Sequence, residues 1–249
     1  MTWLQHWTDV LFLHFPVASN ELAPPLPRRL EIDTFDSQAW LSYVFFRLRL
    51  RPSGLPFVPR LSSLIELNVR TYVRHRGQSG IFFLRMYANN RWAIRAARLL
   101  TPLCYEPATM SDTRFASGSR HIECRPAKSE AGVLAVDFSA QRAPAEALPG
   151  SLDAWLLERY RLFVGNRDGS LSAADVDHPP WRASPVKLTA LDHSFSNSLG
   201  YHLAAQPEAM HYSPGVAARF NAFHVVAAAD TKAMKVHRPD HVVVHHGDQ

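Results

Sequence analysis

Apolar and polar positions alternate with a period of two along much of the chain, and the alternation is unbroken in Ile65–Arg74. Ile65, Leu67, Val69, Thr71 and Val73 fall on one face of that segment; Glu66, Asn68, Arg70, Tyr72 and Arg74 fall on the other. The same reading predicts strands at Val10–Val17, at two places within Leu30–Leu50 about a turn at Asp36-Ser37-Gln38, at Leu64–Arg76 and at Ile81–Tyr87. The loop Gly77-Gln78-Ser79-Gly80 joins the last two as a hairpin. Further strands are expected at Phe115–Arg125, Gly132–Ala140, Leu171–Val176, Val186–His193 and Met210–Phe223.

Two segments switch to a helical period. Arg91–Leu100 gathers Trp92, Ala96, Leu99 and Leu100 on one side and Arg91, Arg95 and Arg98 on the other. Leu152–Val164 follows Pro149-Gly150-Ser151, with Ser151 as N-cap, Asp153 near the positive helix end, and a stripe of Leu152, Trp155, Leu156, Tyr160 and Phe163. Many strands with few helices define an α+β, mainly β chain. It reads as one domain over 1–226, followed by a polar tail, 227–249, expected to be poorly ordered.

The polar face of Ile65–Arg74 has two readings. It can be the solvated side of a half-buried antiparallel strand. Alternatively, because side chains two apart on a strand lie about 7 Å from each other, it can be a continuous strip carrying an acid, an amide, a cation and a phenol. Such a strip can hold a small polar ligand and move a proton.

Composition narrows the classes. The chain has 249 residues, a net charge of +5 and a pI near 9.5, but only four of its 27 basic side chains are lysines. Arginine suits bidentate carboxylate or phosphate recognition, while an Arg- and Ala-rich composition also follows from a GC-rich genome. The arginines are dispersed rather than clustered, which argues against a nucleic-acid partner. Two cysteines, Cys104 and Cys124, rule out zinc ribbons and disulfide frameworks by count. One bridge between them is geometrically open, and a reduced pair fits a cytoplasmic protein better. No segment has the length to span a bilayer, and Met1–His6 lacks a basic leader, so a cytoplasmic location is expected. The 13 histidines show no ligand spacing; His178, His193, His202 and His211 are scattered, and His241, His245 and His246 lie in the expected tail. Neither a metal nor a cofactor is expected.

The run Glu66-x-Asn68-Val69-Arg70-Thr71-Tyr72-Val73 resembles the signature of the YqjF-like family, a bacterial group of unknown function. Ala97-Arg98, Met110 beyond Tyr105, Leu156-x-Glu158-Arg159-Tyr160, His178-x-Pro180-Trp181 and Met210-His211-Tyr212-Ser213-Pro214-Gly215-Val216 agree in order, so that the similarity covers roughly residues 3 to 220. That family is similar in fold to acetoacetate decarboxylase. The resemblance implies a large, bent antiparallel β-cone or barrel with a few peripheral helices and a central cavity. It further implies that Glu66 is the acid on a central strand pointing into that cavity, with Arg70 on the same face.

The decarboxylase chemistry itself is not expected to transfer. Imine formation needs a lysine amine as nucleophile, carried in those enzymes after a Gly-x-Pro turn. The matching stretch here, Thr101-Pro102-Leu103-Cys104-Tyr105-Glu106, has no lysine, and no lysine precedes Lys128. Nor is there a G-x-S-x-G elbow, a Gly-rich phosphate loop or an H-E-x-x-H pair, and Ser213-Pro214-Gly215 reads as a turn. What remains is acid–base work by Glu66, with Asn68, Arg70, Tyr72 and Tyr105 binding a small polar or anionic metabolite. The competing expectation is a non-enzymatic module in which the strip is structural and Arg91, Arg95 and Arg98 meet a partner.

Overall fold

The alternating segments form strands in the computed structural model, which describes residues 2–128 and 132–229. In chain order these are β1 (Trp3–Val17), β2 (Glu31–Ile32), β3 (Ala39–Pro52), β4 (Ser63–His75), β5 (Gln78–Ala88), β6 (Tyr105–Arg114) and β7 (Arg120–Pro126). There follow β8 (Leu134–Ala140), β9 (Ala145–Glu146), β10 (Arg161–Gly165), β11 (Leu171–Asp177), β12 (Arg182–Asp192), β13 (Ala209–Phe220) and β14 (His224–Ala227). The helices are α1 (Ser19–Leu22), α2 (Pro59–Ser62), α3 (Arg91–Leu100), α4 (Leu152–Leu157) and α5 (Phe195–Ser198).

These strands pair into one sheet that closes on itself twice. One ring runs β13–β1–β3–β4–β5–β10–β11 and closes where Val176 and Asp177 of β11 meet Phe220 and Arg219 of β13. The other leaves β5 through β6, β7, β8 and β12 and also returns to β13. Pairing is antiparallel except where β5 meets β6 and β10. The expected mainly β, antiparallel ring is therefore the architecture observed.

Strands β13, β1, β3, β4 and β5 belong to both rings, so β4 has no solvent face. Its odd side, Leu67, Val69 and Thr71, is covered by β6–β8 and β12, in a core that includes Ile122, Val136, Phe138 and Phe195. Its even side faces the first ring. The hairpin after β4 is tighter than the sequence suggests. Arg76 and Gly77, both at positive φ, make a two-residue turn, and Gln78 and Ser79 already pair with β4.

The first strand changes face midway. Asp9 (φ 56) opens a bulge in β1 opposite β3, so Trp3, Gln5 and Trp7 line the first ring before it and Val10 and Phe12 after it. Ser213-Pro214-Gly215, read from the sequence as a turn, lies inside β13 across from this bulge. Pro214 has no N–H to waste there, and Gly215 (φ 128) passes so close to Trp7 that a Cβ would lie 1.9 Å from its carbonyl oxygen.

Four other expectations are corrected. The helix expected over Leu152–Val164 ends at Leu157, after its Ser151 cap accepts from Ala154 N at 3.2 Å. Tyr160 and Phe163 are not part of a helical stripe; Leu162 and Phe163 pair in parallel with Ile81 and Phe82 as β10, and tertiary packing overrides the local period. On α3, capped by Asn90 Oδ1, the buried side is Ala93 and Ile94, whereas Trp92, Leu99 and Leu100 are exposed. The strand expected from Phe115 begins at Arg120, and β6, which the sequence reading did not mark, precedes it. Ala227, the first residue of the expected tail, is buried at the end of β14; residues 230–249 lie outside the described residues. Cys124 is a buried thiol and Cys104 an exposed one, with no bridge between them.

Gly215→Ala is expected to cost about 3 kcal/mol or more, because both the positive φ and the contact with Trp7 resist a methyl group. A urea titration checks this; a midpoint within error of wild type would show that β1 and β13 are not so closely apposed.

Candidate functional site

The even side of β4 forms part of the wall of a cavity of about 390 Å³ inside the first ring. Cross-strand register sets its layers. Asn68 lies level with Val44 and Met86, Glu66 with Phe46 and Ala88, and Arg70 with Ser42 and Phe83. Most of the wall is apolar, built by Phe12, Val44, Phe46, Phe83, Met86 and Trp181 among others. Glu66, Asn68, Arg70 and Tyr105 interrupt it.

Glu66 is 2 % exposed. Burial pushes its pKa up to about 7, and hydrogen bonds from Asn68 and Tyr105 oppose the rise without cancelling it. Tyr105 Oη donates to Glu66 Oε2 at 3.2 Å, and burial and that neighbouring carboxyl hold the phenol well above its ordinary range. Glu66 is thus a carboxyl that exchanges a proton near neutrality in a largely apolar chamber.

Arg70 is 8 % exposed. Its Nη2 donates to the carbonyl of Leu156 at 3.2 Å, and its guanidinium lies 5.6 Å from the ring centre of Phe12 and 5.7 Å from that of Tyr72. Its Nε is buried without a partner, as is Asn68 Oδ1. Among the described residues no carboxylate pairs with Arg70. By contrast, Arg159, which also lines the cavity, is paired with Asp33 at 2.8 Å, and Asp33 also holds Arg74 at 2.7 Å.

Of the residues singled out from the sequence, Glu66, Asn68, Arg70 and Tyr105 share the cavity wall. Tyr72 does not belong to it. Its fully buried hydroxyl meets Ser42 Oγ at 2.8 Å, His14 Nδ1 at 3.3 Å and the Leu156 carbonyl at 3.1 Å, where it fixes α4 behind Arg70. The sequence reading missed Trp181 and Arg159 as wall residues, although both stood in the runs that carried the resemblance. Glu158 Oε1 accepts from Trp181 N at 2.9 Å, and Trp181 stacks on Trp7 and packs against His178. The basic residues of α3 are partly engaged already: Arg98 donates to the Tyr105 carbonyl at 2.6 Å and Arg95 lies over Trp92.

No lysine of the described residues lines the cavity. Lys128 and Lys187 are exposed on the surface. Among the described residues no three His, Cys, Asp or Glu side chains converge as a metal site.

The architecture is that of the acetoacetate decarboxylase-like proteins. The enduracididine biosynthesis enzyme MppR complexed with pyruvate superposes with a TM-score of 0.64 at 13% identity, covering 91% of this chain and 91% of that one. An acetoacetate decarboxylase-like enzyme from Sphingomonas wittichii RW1 superposes with a TM-score of 0.61 at 13% identity, covering 91% and 93%. For acetoacetate decarboxylase from Legionella pneumophila the TM-score is 0.59 at 13% identity, covering 90% and 87%. Within that fold the chain belongs to the DUF2071 family of uncharacterised conserved proteins, whose pattern matches residues 4–217. It is 35% identical over 210 residues to the uncharacterised protein YqjF of Bacillus subtilis (strain 168), spanning 84% of this chain and 86% of that one. No helix among the described residues is long and apolar enough to cross a membrane.

Glu66 makes stability depend on pH in a defined direction. Its folded pKa lies above its unfolded value, so the folded state binds the extra proton and loses stability as pH rises from about 4.5 through about 7. Glu66→Gln is expected to melt like wild type at pH 4 and to be more stable at pH 8, by up to about 3 kcal/mol. Thermal unfolding at both pH values measures it; equal melting at pH 8 would mean that the carboxyl is not buried as described.

Proposed function

We propose that the chain binds a small organic anion, a carboxylate, in this cavity, with Arg70 as its counter-ion and Glu66 as the group that exchanges a proton with it. One observation carries this reading: a buried guanidinium on a cavity wall with an unpartnered Nε and, among the described residues, no carboxylate beside it. A charge in that position is costly until an anion joins it. The anion's oxygens are the groups a planar fork recognises, and Asn68 lies one layer along the same strand. Pyruvate in MppR, a protein of the same fold, supports the choice of a carboxylate.

Glu66 supplies the chemistry left open by the absence of a cavity lysine among the described residues. Neutral, it can donate to a ligand carbonyl or enolate; ionised, it can accept a proton, with Tyr105 stabilising the carboxylate. Imine-forming decarboxylation is not part of the proposal. The competing reading, docking through Arg91, Arg95 and Arg98, is weaker because two of these side chains are occupied within the chain.

A thermal-shift screen of metabolites at pH 7 tests the reading. Carboxylates should stabilise wild type while their amides do not, and Arg70→Gln should weaken the response by about 10- to 100-fold, the worth of a charge-assisted hydrogen bond. Hits that stabilise Arg70→Gln as well as wild type would remove Arg70 from the site and overturn the proposal.

A further inference from the structure

The Arg70 guanidinium and the exit of the cavity lie at opposite ends. Along β4 the side chains facing the chamber run Arg70, Asn68, Glu66, Leu64, so three polar layers give way to an apolar one. Leu64 is level with Leu48, and Leu48 with Trp7; beyond them the wall continues through Leu50 and Trp3. Arg70 and Leu64 are six residues apart, about 20 Å on an extended strand. At the Arg70 end the neighbouring wall residues Arg159 and Leu162 are buried. At the other end Leu55, Val58, Leu61 and Leu100 line the cavity and are also exposed, carried by the loop after β3, by α2 and by α3. The mouth is therefore apolar, and the charge sits at the bottom.

A two- or three-carbon acid held by Arg70 would leave the apolar stretch between Glu66 and the mouth uncovered. A compound with a carboxylate at one end and an extended hydrocarbon body would cover it. Exposed large apolar side chains gathered at one opening also fit a ligand that arrives with an apolar portion of its own. On these grounds we infer that the ligand class is a monocarboxylic acid with a long apolar tail, its head at Arg70 and Asn68 and its tail running past Leu64 toward α2 and α3. This inference rests on the carboxylate reading above and specifies it.

The test is a chain-length series of saturated acids (butyrate, hexanoate, octanoate, decanoate) titrated calorimetrically into the full chain at pH 7, with 1-octanol as a neutral control. Each added methylene should tighten binding by about fourfold, the equivalent of about 0.8 kcal/mol per buried CH₂. Octanoate should bind more tightly than 1-octanol in wild type, and Arg70→Gln should abolish that preference. Ala96→Trp, which adds bulk on α3 where it lines the mouth, should weaken decanoate at least tenfold more than butyrate.

The two readings fail differently. Acids that bind through Arg70 with the same affinity at every length would overturn the tail and leave the small carboxylate standing. No acid binding at any length, or 1-octanol binding as tightly as octanoate, would overturn the carboxylate reading and the tail with it. If decanoate and butyrate weakened equally in Ala96→Trp, the tail would not pass α3.

Discussion

A strand shared by two closed rings must find partners for its polar groups within the fold or in the cavity it lines, and that constraint organises this molecule. Between Ile65 and Val73 the odd face of β4 meets the problem by being apolar, apart from Thr71, whose hydroxyl donates to the Trp40 carbonyl at 2.8 Å. The even face places an acid, an amide, a cation and a phenol in succession in a buried interior, and neighbouring elements are arranged around them. Glu66 stays protonated more readily and leans on Tyr105. Tyr72 is absorbed into a buried chain with Ser42 and His14, and His14 stays neutral because burial, and then the nearby His211 and Arg70, oppose its charge. Buried polar groups of this kind are costly if left alone, so the helix α4 is held where its terminal carbonyl at Leu156 can accept from both Arg70 and Tyr72.

The same logic separates several paired, structural arginines from Arg70. Arg159 and Arg74 converge on Asp33, a side chain almost entirely buried, and Arg159 lies 4.1 Å from the ring centre of Trp155. Arg120 and Arg47 share Asp112 and Asp9 beside the β1 bulge. Each of these guanidinium groups has its counter-charge within the fold. Arg70 has a carbonyl for one N–H and two aromatic rings near its guanidinium, but no carboxylate among the described residues.

How much of this could be read along the chain depended on how local the cause was. The period of two in Ile65–Arg74 is a property of ten adjacent residues, and it identified β4, its faces and three residues that share the cavity wall. Whether the polar face met water or a chamber depended on β10 and β11, which lie a hundred residues away, and only the family resemblance pointed inward. Tyr72 shares a face with Arg70 in sequence, yet it is drawn out of the cavity by His14 and Ser42, partners with no local signature. The length of α4 was misread because Tyr160 and Phe163 continue a helical spacing that parallel pairing with β5 overrides. On α3, Trp92 and Leu99 looked like a core stripe because residue type was legible while the neighbour that would bury them was not.

The pairing of β1 with β13 has a further consequence, for the order in which the chain can fold. Trp3 lies against Phe220 and His14 against Ala209, so the first strand made finds one of its two neighbours only when most of the chain exists. Contacts of such long sequence separation carry a large loop-closure cost and slow folding. During synthesis β1, β3, β4 and β5 can assemble as a local antiparallel meander, with the edge of β1 unpaired until residues 209–220 arrive. Both rings therefore close late, and the cavity becomes an enclosed chamber only in that last step.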